Sequence, residues 1–185
     1  NAVTDQHQLS AVALRVKETL GVESLEVVAD VGYYDGEEVK ACLEAQITPY
    51  IAKPHTSRNQ KQGLFTKADF IYDAHQDTYR CPAGAILTYR FSTVEDGRPQ
   101  RYYATGACGS CTLRAQCTRN KKGRRITRWE DEGILDAMAE RVRARPEIYA
   151  PFTLTADLTA LTPDERRMLA LCAVPFAVQC LLILA

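Results

Sequence analysis

Cys81, the Cys108-x-x-Cys111 pair and Cys117 are the residues whose type and spacing most clearly suggest chemistry. Four thiolates at the corners of a tetrahedron hold zinc in a closed structural site. Two other readings compete. The thiols could be unligated core residues, since free cysteine is often buried, or Cys108 and Cys111 could be a redox pair. No strand-to-helix context of the usual redox kind precedes the pair, which weighs against the last. If Asp96-Gly97 turns a hairpin, Cys81 falls opposite Thr112 and so near Cys108 and Cys111, with Cys117 folding back as the fourth ligand. Zinc there would supply folding energy that a small β insert lacks.

Three further cysteines, Cys42, Cys172 and Cys180, bring the number to seven, which is odd. Asn1 to Gln8 is polar, without the basic-then-apolar pattern of a secretory signal. Together these point to a reducing, cytoplasmic setting in which clustered cysteines bind metal more often than they pair. Cys42 reads as a core residue of its own helix.

A second candidate follows the cysteines. Arg114, Arg119, Lys121, Lys122, Arg124, Arg125 and Arg128 form a run without an acidic residue, whereas residues 1–50 carry nine acidic and three basic side chains. The formal net charge of zero, 23 basic against 23 acidic residues, is therefore a sum over two opposed regions. A basic loop on a rigid scaffold can neutralise DNA phosphates with salt-dependent, sequence-blind affinity. The competing reading is a solvated face, or one paired with the acidic region.

The third candidate is Asp30, which ends an apolar stretch just before Gly32. Oxygen ligands of this kind suit a divalent cation, and open α/β sheets place ligands beyond the carboxyl ends of their strands. Asp near Gly is also an ordinary turn.

The elements that must position these residues read as follows. Leu9, Val12, Ala13, Val16 and Leu20 share a helical face, and Gly21 stops that helix. Leu25 to Ala29 reads as a buried strand. Asp35 caps a second helix with Glu38 three residues on, and Val39, Cys42 and Leu43 face inward. Thr48 to Ala52 reads as an edge strand containing Pro49. Helix, strand, helix, strand is α/β with a parallel crossover. Lys53 to Lys67 reads as a basic loop. Short β signals follow at Phe70–Tyr72, Thr78–Arg80, Ile86–Phe91 and Arg101–Ala104, with turns at Ala74–Asp77 and Glu95–Pro99. Thr127 and Glu130 frame a capping box for a helix over Trp129–Arg145, with Ile134, Leu135, Met138 and Val142 inward.

The blocks Val28-Ala29-Asp30-Val31-Gly32-Tyr33-Tyr34, Gly36-Glu37-Glu38, Thr48-Pro49-Tyr50-Ile51, Lys53-Pro54, Phe70 to Asp73, Thr78 to Gly84, the later cysteines and Arg124-Arg125-Ile126 occur in an order that resembles the DDE transposases of insertion sequences. The likeness is to the bacterial group with a cysteine-rich insert, and it covers about residues 1–147. It implies an RNase H-like fold in which three carboxylates, Asp, Asp and Glu, hold two Mg2+ or Mn2+ ions. These activate a water, then a DNA 3′-hydroxyl, for in-line attack on phosphodiesters. On that resemblance Asp30 is the second catalytic carboxylate and DNA is the substrate.

The sequence also departs from the family. The first Asp is expected upstream of Asn1, and Tyr149-Ala150-Pro151-Phe152-Thr153 stands where a Glu-His-Pro-Phe-like block is expected. Asp157, Asp164 and Glu165 lie in unmatched surroundings. Met168 to Ala185 is apolar except for Pro175 and Gln179. It reads as a buried helix pair, a membrane anchor or, in keeping with the lost family pattern, an out-of-frame tail; its length and Pro175 argue against a span. The expectation is therefore a partial RNase H-like core over residues 1–52, a basic loop with an antiparallel, zinc-ribbon-like insert over 53–128, a core helix over 129–147 and a divergent tail over 148–185. Such a chain is a transposase fragment, inactive alone, able to meet intact transposase on DNA. The alternative is a non-enzymatic, zinc-stapled nucleic-acid-binding module.

Overall fold

The structure is a computed structural model that describes residues 7–54, 57–149 and 182–184. The chain divides into two compact units, Asn1–Pro54 with Gly133–Ala185, and His55–Glu132.

In the first unit, α1 (Leu9–Leu20) ends where Gly21 adopts φ 66°, the left-handed cap that glycine takes without a Cβ penalty. Strand β1 (Leu25–Ala29) pairs in parallel with β2 (Ile47–Ile51), Leu25 opposite Ile47 and Ala29 opposite Ile51. Helix α2 (Gly36–Glu44) makes the crossover. The Asp35 carboxylate starts it by accepting from the amides of Glu37 at 2.9 Å and Glu38 at 3.3 Å. The Glu38 carboxylate accepts from the Ser10 amide at 2.8 Å. It thus satisfies a first-turn N–H of α1, whose own cap residue Gln8 makes no side-chain cap bond. Pro49 sits in β2, an edge strand of a sheet ordered β2-β1-β8, where β8 is Leu182–Leu184 and runs antiparallel to β1. Leu9, Ala13, Val27, Val39, Cys42, Ile47 and, from helix α5 (Glu132–Ala144), Met138 are fully buried together. Burial pushes the Cys42 thiol up to about 12, in keeping with a core thiol.

The second unit is a five-stranded antiparallel sheet, β3 (Ile71–Asp73), β4 (Thr78–Arg80), β5 (Ile86–Glu95), β6 (Arg98–Ala104) and β7 (Arg125–Trp129), in chain order. A four-residue helix, α3 (Arg58–Lys61), lies in the segment read from sequence as a loop. Asp96 and Gly97, with φ of 49° and 78°, turn β5 into β6 with Glu95 opposite Arg98. Two positive φ values in a two-residue loop match the right-handed twist of the strands it joins. Phe70, Tyr79, Leu87, Tyr103 and Ile126 form the core.

Two expectations are corrected. Residues Arg125–Trp129 form a strand, so Thr127 does not cap the helix read over Trp129–Arg145, because Tyr102, Tyr103 and Ala104 of β6 offer this segment a ladder partner. The carboxylate that reaches back to begin α5 is that of Glu132, accepting from the Trp129 amide at 3.0 Å. The ladder between β5 and β6 closes at Thr88 opposite Ala104, so it does not run on to Cys81. Most of the apolar tail, with Asp157, Asp164 and Glu165, lies outside the described residues; among the described residues no helix is long and apolar enough to cross a membrane.

In the turn between β3 and β4 the Asp77 carboxylate accepts from Tyr72 Oη at 2.8 Å, Tyr103 Oη at 2.5 Å and Arg101 Nη2 at 2.5 Å. Burial works against its charge, but the hydroxyls of Tyr103 and Tyr72 and the guanidinium of Arg101 hold its pKa below the usual value. The contribution is present at pH above the unfolded carboxylate value and is lost as pH falls through the lower folded value. Asp77→Asn should therefore lose roughly 1–3 kcal/mol at neutral pH, and urea unfolding should show the deficit shrinking as the pH is brought down through the acidic range.

Candidate functional site

The cysteines come together at one end of the second unit. Cys81, Cys108, Cys111 and Cys117 line the same small cavity, with Phe70 and Arg124. Each reaches it by a different local device. Cys81 opens the tight turn after β4, its amide donating to Ala85 O at 2.9 Å and its carbonyl accepting from Gly84 N at 2.8 Å. Cys108 lies in a single 3-10 turn, Gly106–Gly109, begun by the Thr105 hydroxyl accepting from the Ala107 amide at 3.3 Å. Cys117 ends α4 (Arg114–Cys117), and Phe65 N donates to Gln116 O at 2.9 Å to hold that turn.

All four thiols are free. Burial pushes the Cys117 thiol pKa up, Arg124 pulls it back, and Cys108, Cys81 and Cys111 push it further, so these groups share one electrostatic environment. They share a cavity wall without forming a coordination sphere: among the described residues no three His, Cys, Asp or Glu side chains are grouped to hold a metal.

The basic run splits into two parts. Arg119, Lys121, Lys122 and Arg125 are exposed. Arg114 Nη2 donates to Lys121 O at 2.8 Å, and Lys122 N donates to Asn120 Oδ1 at 2.9 Å, so the loop bearing these charges is pinned from within. Arg128 is buried, its guanidinium 3.8 Å from the centre of the Tyr72 ring and its Nη1 3.4 Å from Tyr79 Oη. It braces the core and is out of reach of a phosphate. Arg124 is half-buried over Phe70 at 5.5 Å, with its Nε unpartnered among the described residues.

Asp30 is exposed, at the carboxyl end of β1 where a 3-10 turn, Val31–Tyr33, begins. Among the described residues it belongs to no group of three or more His, Cys, Asp or Glu side chains that could hold an ion. The residues present therefore do not assemble a two-metal centre, and no reaction step follows from them.

Sequence reading does not single out three positions that shape the second unit. One is Asp77, hidden by its place in a turn. Another is Phe91, whose direction depends on a register shift between Tyr89 and Phe91. The third is Gly123, at φ 91°, where a Cβ would stand 2.8 Å from Cys108 Cβ and 3.1 Å from its Sγ. No local pattern signals such an approach, because the close neighbour is distant in sequence. Gly123→Ala should force the basic loop away from the cysteine cavity. The expected result is a lowered unfolding midpoint and faster reaction of Cys108 with a thiol reagent; wild-type rates would show that the loop yields without cost.

Residues 80–150, which carry the four cysteines, the basic run and α5, match the family model described as Transposase DDE domain. Asp30 lies outside the matched segment. No curated protein matches the chain, and no solved structure does. The α/β unit and the antiparallel sheet are of the fold class of a partial RNase H-like DDE domain. Over residues 80–150 the chain is similar to the DDE domains of transposases.

Proposed function

We propose that this chain derives from an insertion-sequence transposase, that its insert contacts DNA, and that the chain does not cut DNA by itself. The match of residues 80–150 to a transposase DDE domain carries the reading, because that segment contains the basic loop. Transposases act on DNA, and the exposed Arg119, Lys121, Lys122 and Arg125 offer the charge that phosphates require. Arg114 belongs with them as the residue that holds the loop, while Arg124 and Arg128 act from inside. Asp30 keeps its proposed place as a catalytic carboxylate of the intact enzyme, in which Mg2+ or Mn2+ would polarise the scissile phosphodiester. Among the described residues no group of three or more ligating side chains forms around Asp30, which supports a chain that does not hold a pair of ions by itself. A cytoplasmic location, and competition with intact transposase for the same DNA, belong to the same proposal.

Zn2+ is proposed as a structural ion on Cys81, Cys108, Cys111 and Cys117. The chemistry of the donors supports it, four thiols around one cavity. Without an assembled coordination sphere, the ion would have to draw the thiols inward. A non-enzymatic nucleic-acid-binding module stapled by zinc is the second reading, favoured by the same cavity.

Three measurements test these statements. Lys121→Ala with Lys122→Ala should weaken binding to duplex DNA and lower the slope of log K against log salt by roughly 1 for each phosphate no longer neutralised; a salt-independent affinity would refute phosphate binding. Metal analysis of the purified chain should find zinc, and Cys81→Ser should reduce it. A folded sample without zinc, with the four thiols freely reactive, would refute the metal. Supercoiled plasmid incubated with the chain and Mg2+ should stay intact, and nicking or joining would overturn the claim of inactivity.

A further inference from the structure

The antiparallel sheet has a second face that its core leaves open. Alternation along the strands sends Tyr79, Leu87 and Tyr103 to the core. It sends Arg80, Ile86, Tyr102 and Arg125 to the opposite face, Arg80 opposite Ile86, Tyr102 opposite Thr127 and Arg125 opposite Ala104. Phe91 would follow Leu87 and Tyr89 to the core side if the strand were regular, since side chains alternate with period two. The register shift between Tyr89 and Phe91 turns Phe91 outward instead, opposite Tyr102, and leaves Arg90 as the extra, exposed residue. Bulges of this kind re-aim side chains.

The result is a flat aromatic pair on an open face. The rings of Phe91 and Tyr102 stack with centroids 4.6 Å apart and planes 12° from parallel. Phe91 is 43% exposed and Ile86 41%. Arg80 and Arg90 are exposed, and their guanidinium groups pair with no carboxylate among the described residues. The Glu95 carboxylate, accepting from Tyr102 Oη, pushes that hydroxyl's pKa up, burial adds to this, and Arg125 pulls it down, which sets Arg125 close to the aromatic pair. The acidic groups nearby are engaged locally: Glu95 with Tyr102, and Asp73 with the amides of His75 at 2.9 Å and Gln76 at 3.1 Å. The Glu95 carboxylate keeps its charge beside Tyr102, while Arg90, next to Phe91 in the strand, and Arg125, close to Tyr102, place two positive charges around the exposed ring.

An aromatic face takes a base only if the base is out of its duplex, and cations beside it take the phosphates on either side. We propose that this face binds an unpaired DNA strand, with a base stacked on Phe91 and the adjoining phosphates met by Arg90 and Arg125. The proposal rests on the DNA reading above and adds a site, a strandedness and a residue that the basic loop does not supply.

The test uses the full chain and two fluorescent probes of equal length, a single-stranded oligonucleotide and a duplex, followed by anisotropy. Phe91→Ala should weaken single-strand binding about tenfold, as expected for removing one base–aromatic stack, and leave duplex binding unchanged. Arg90→Ala should weaken single-strand binding as well. Phe91→Trp should retain affinity and gain a fluorescence quench on binding that the wild type, whose one tryptophan is the buried Trp129, does not show. Circular dichroism melting confirms that each variant is folded. Wild-type single-strand affinity in folded Phe91→Ala overturns the proposal while duplex binding, weakened by the Lys121 and Lys122 substitutions, upholds the broader DNA reading. Binding to neither probe overturns both. Tighter binding of an RNA strand of the same sequence overturns the assignment to DNA.

Discussion

The second unit depends on one carboxylate. Asp77 sits in the turn between β3 and β4 with φ 50° and accepts hydrogen bonds from two tyrosines and an arginine that come from β3 and β6. A sheet of short strands with a core of five buried residues has little apolar area with which to fix its register. Hydroxyls buried beside that core need an acceptor, and a charged acceptor makes the stronger bond. Tyr72, Tyr79 and Tyr103 then pack ring against ring, with Tyr72 and Tyr79 centroids 4.9 Å apart and Tyr79 and Tyr103 centroids 5.1 Å apart. Arg128 covers Tyr72 from β7. One turn residue thereby ties β3 to β6, and the rings extend the tie to β4 and β7.

What that register decides is the direction of everything outside the core. With Tyr103 inward, Tyr102 must face outward, and the bulge gives it Phe91 as a partner. With Ile126 inward, Arg125 must face outward and Arg124 closes on Phe70 and the cysteine cavity. The basic run is therefore not one surface. Its members are sorted by strand parity and by the close approach of Gly123 to Cys108, which leaves some charges for solvent and uses others to brace rings. The first unit is held differently, by apolar burial, with the Glu38 carboxylate lending α1 the cap that its own sequence lacks.

Much is legible in the sequence where the signal is local. Gly21, Asp35 and Asp96-Gly97 act through backbone geometry within a few residues, so the helix stop, the helix start and the hairpin turn are readable directly. The apolar runs read at Leu25–Ala29 and Thr48–Ala52 announce a parallel pair for the same reason, the second strand lying one residue earlier, at Ile47–Ile51. The cysteine spacing leads to one cavity, although the hairpin register that argues for it stops short at Thr88 and Ala104. Thr127 and Glu130 imitate a capping box and so place the start of α5 too early; only the neighbouring strand β6 reveals that Thr127 belongs to a ladder.

By itself the sequence determined the alternation of helix and strand in the first unit, the hairpin turn, the grouping of thiols and the segregation of charge, because each follows from residue type and short spacing. The tertiary structure alone decided which of those charges face solvent, how close Gly123 comes to Cys108, and which way Phe91 points. It also left Asp30 outside any group of three or more ligating side chains among the described residues. These are matters of register and of approach between residues far apart in the chain, and a one-residue shift in a strand reverses them.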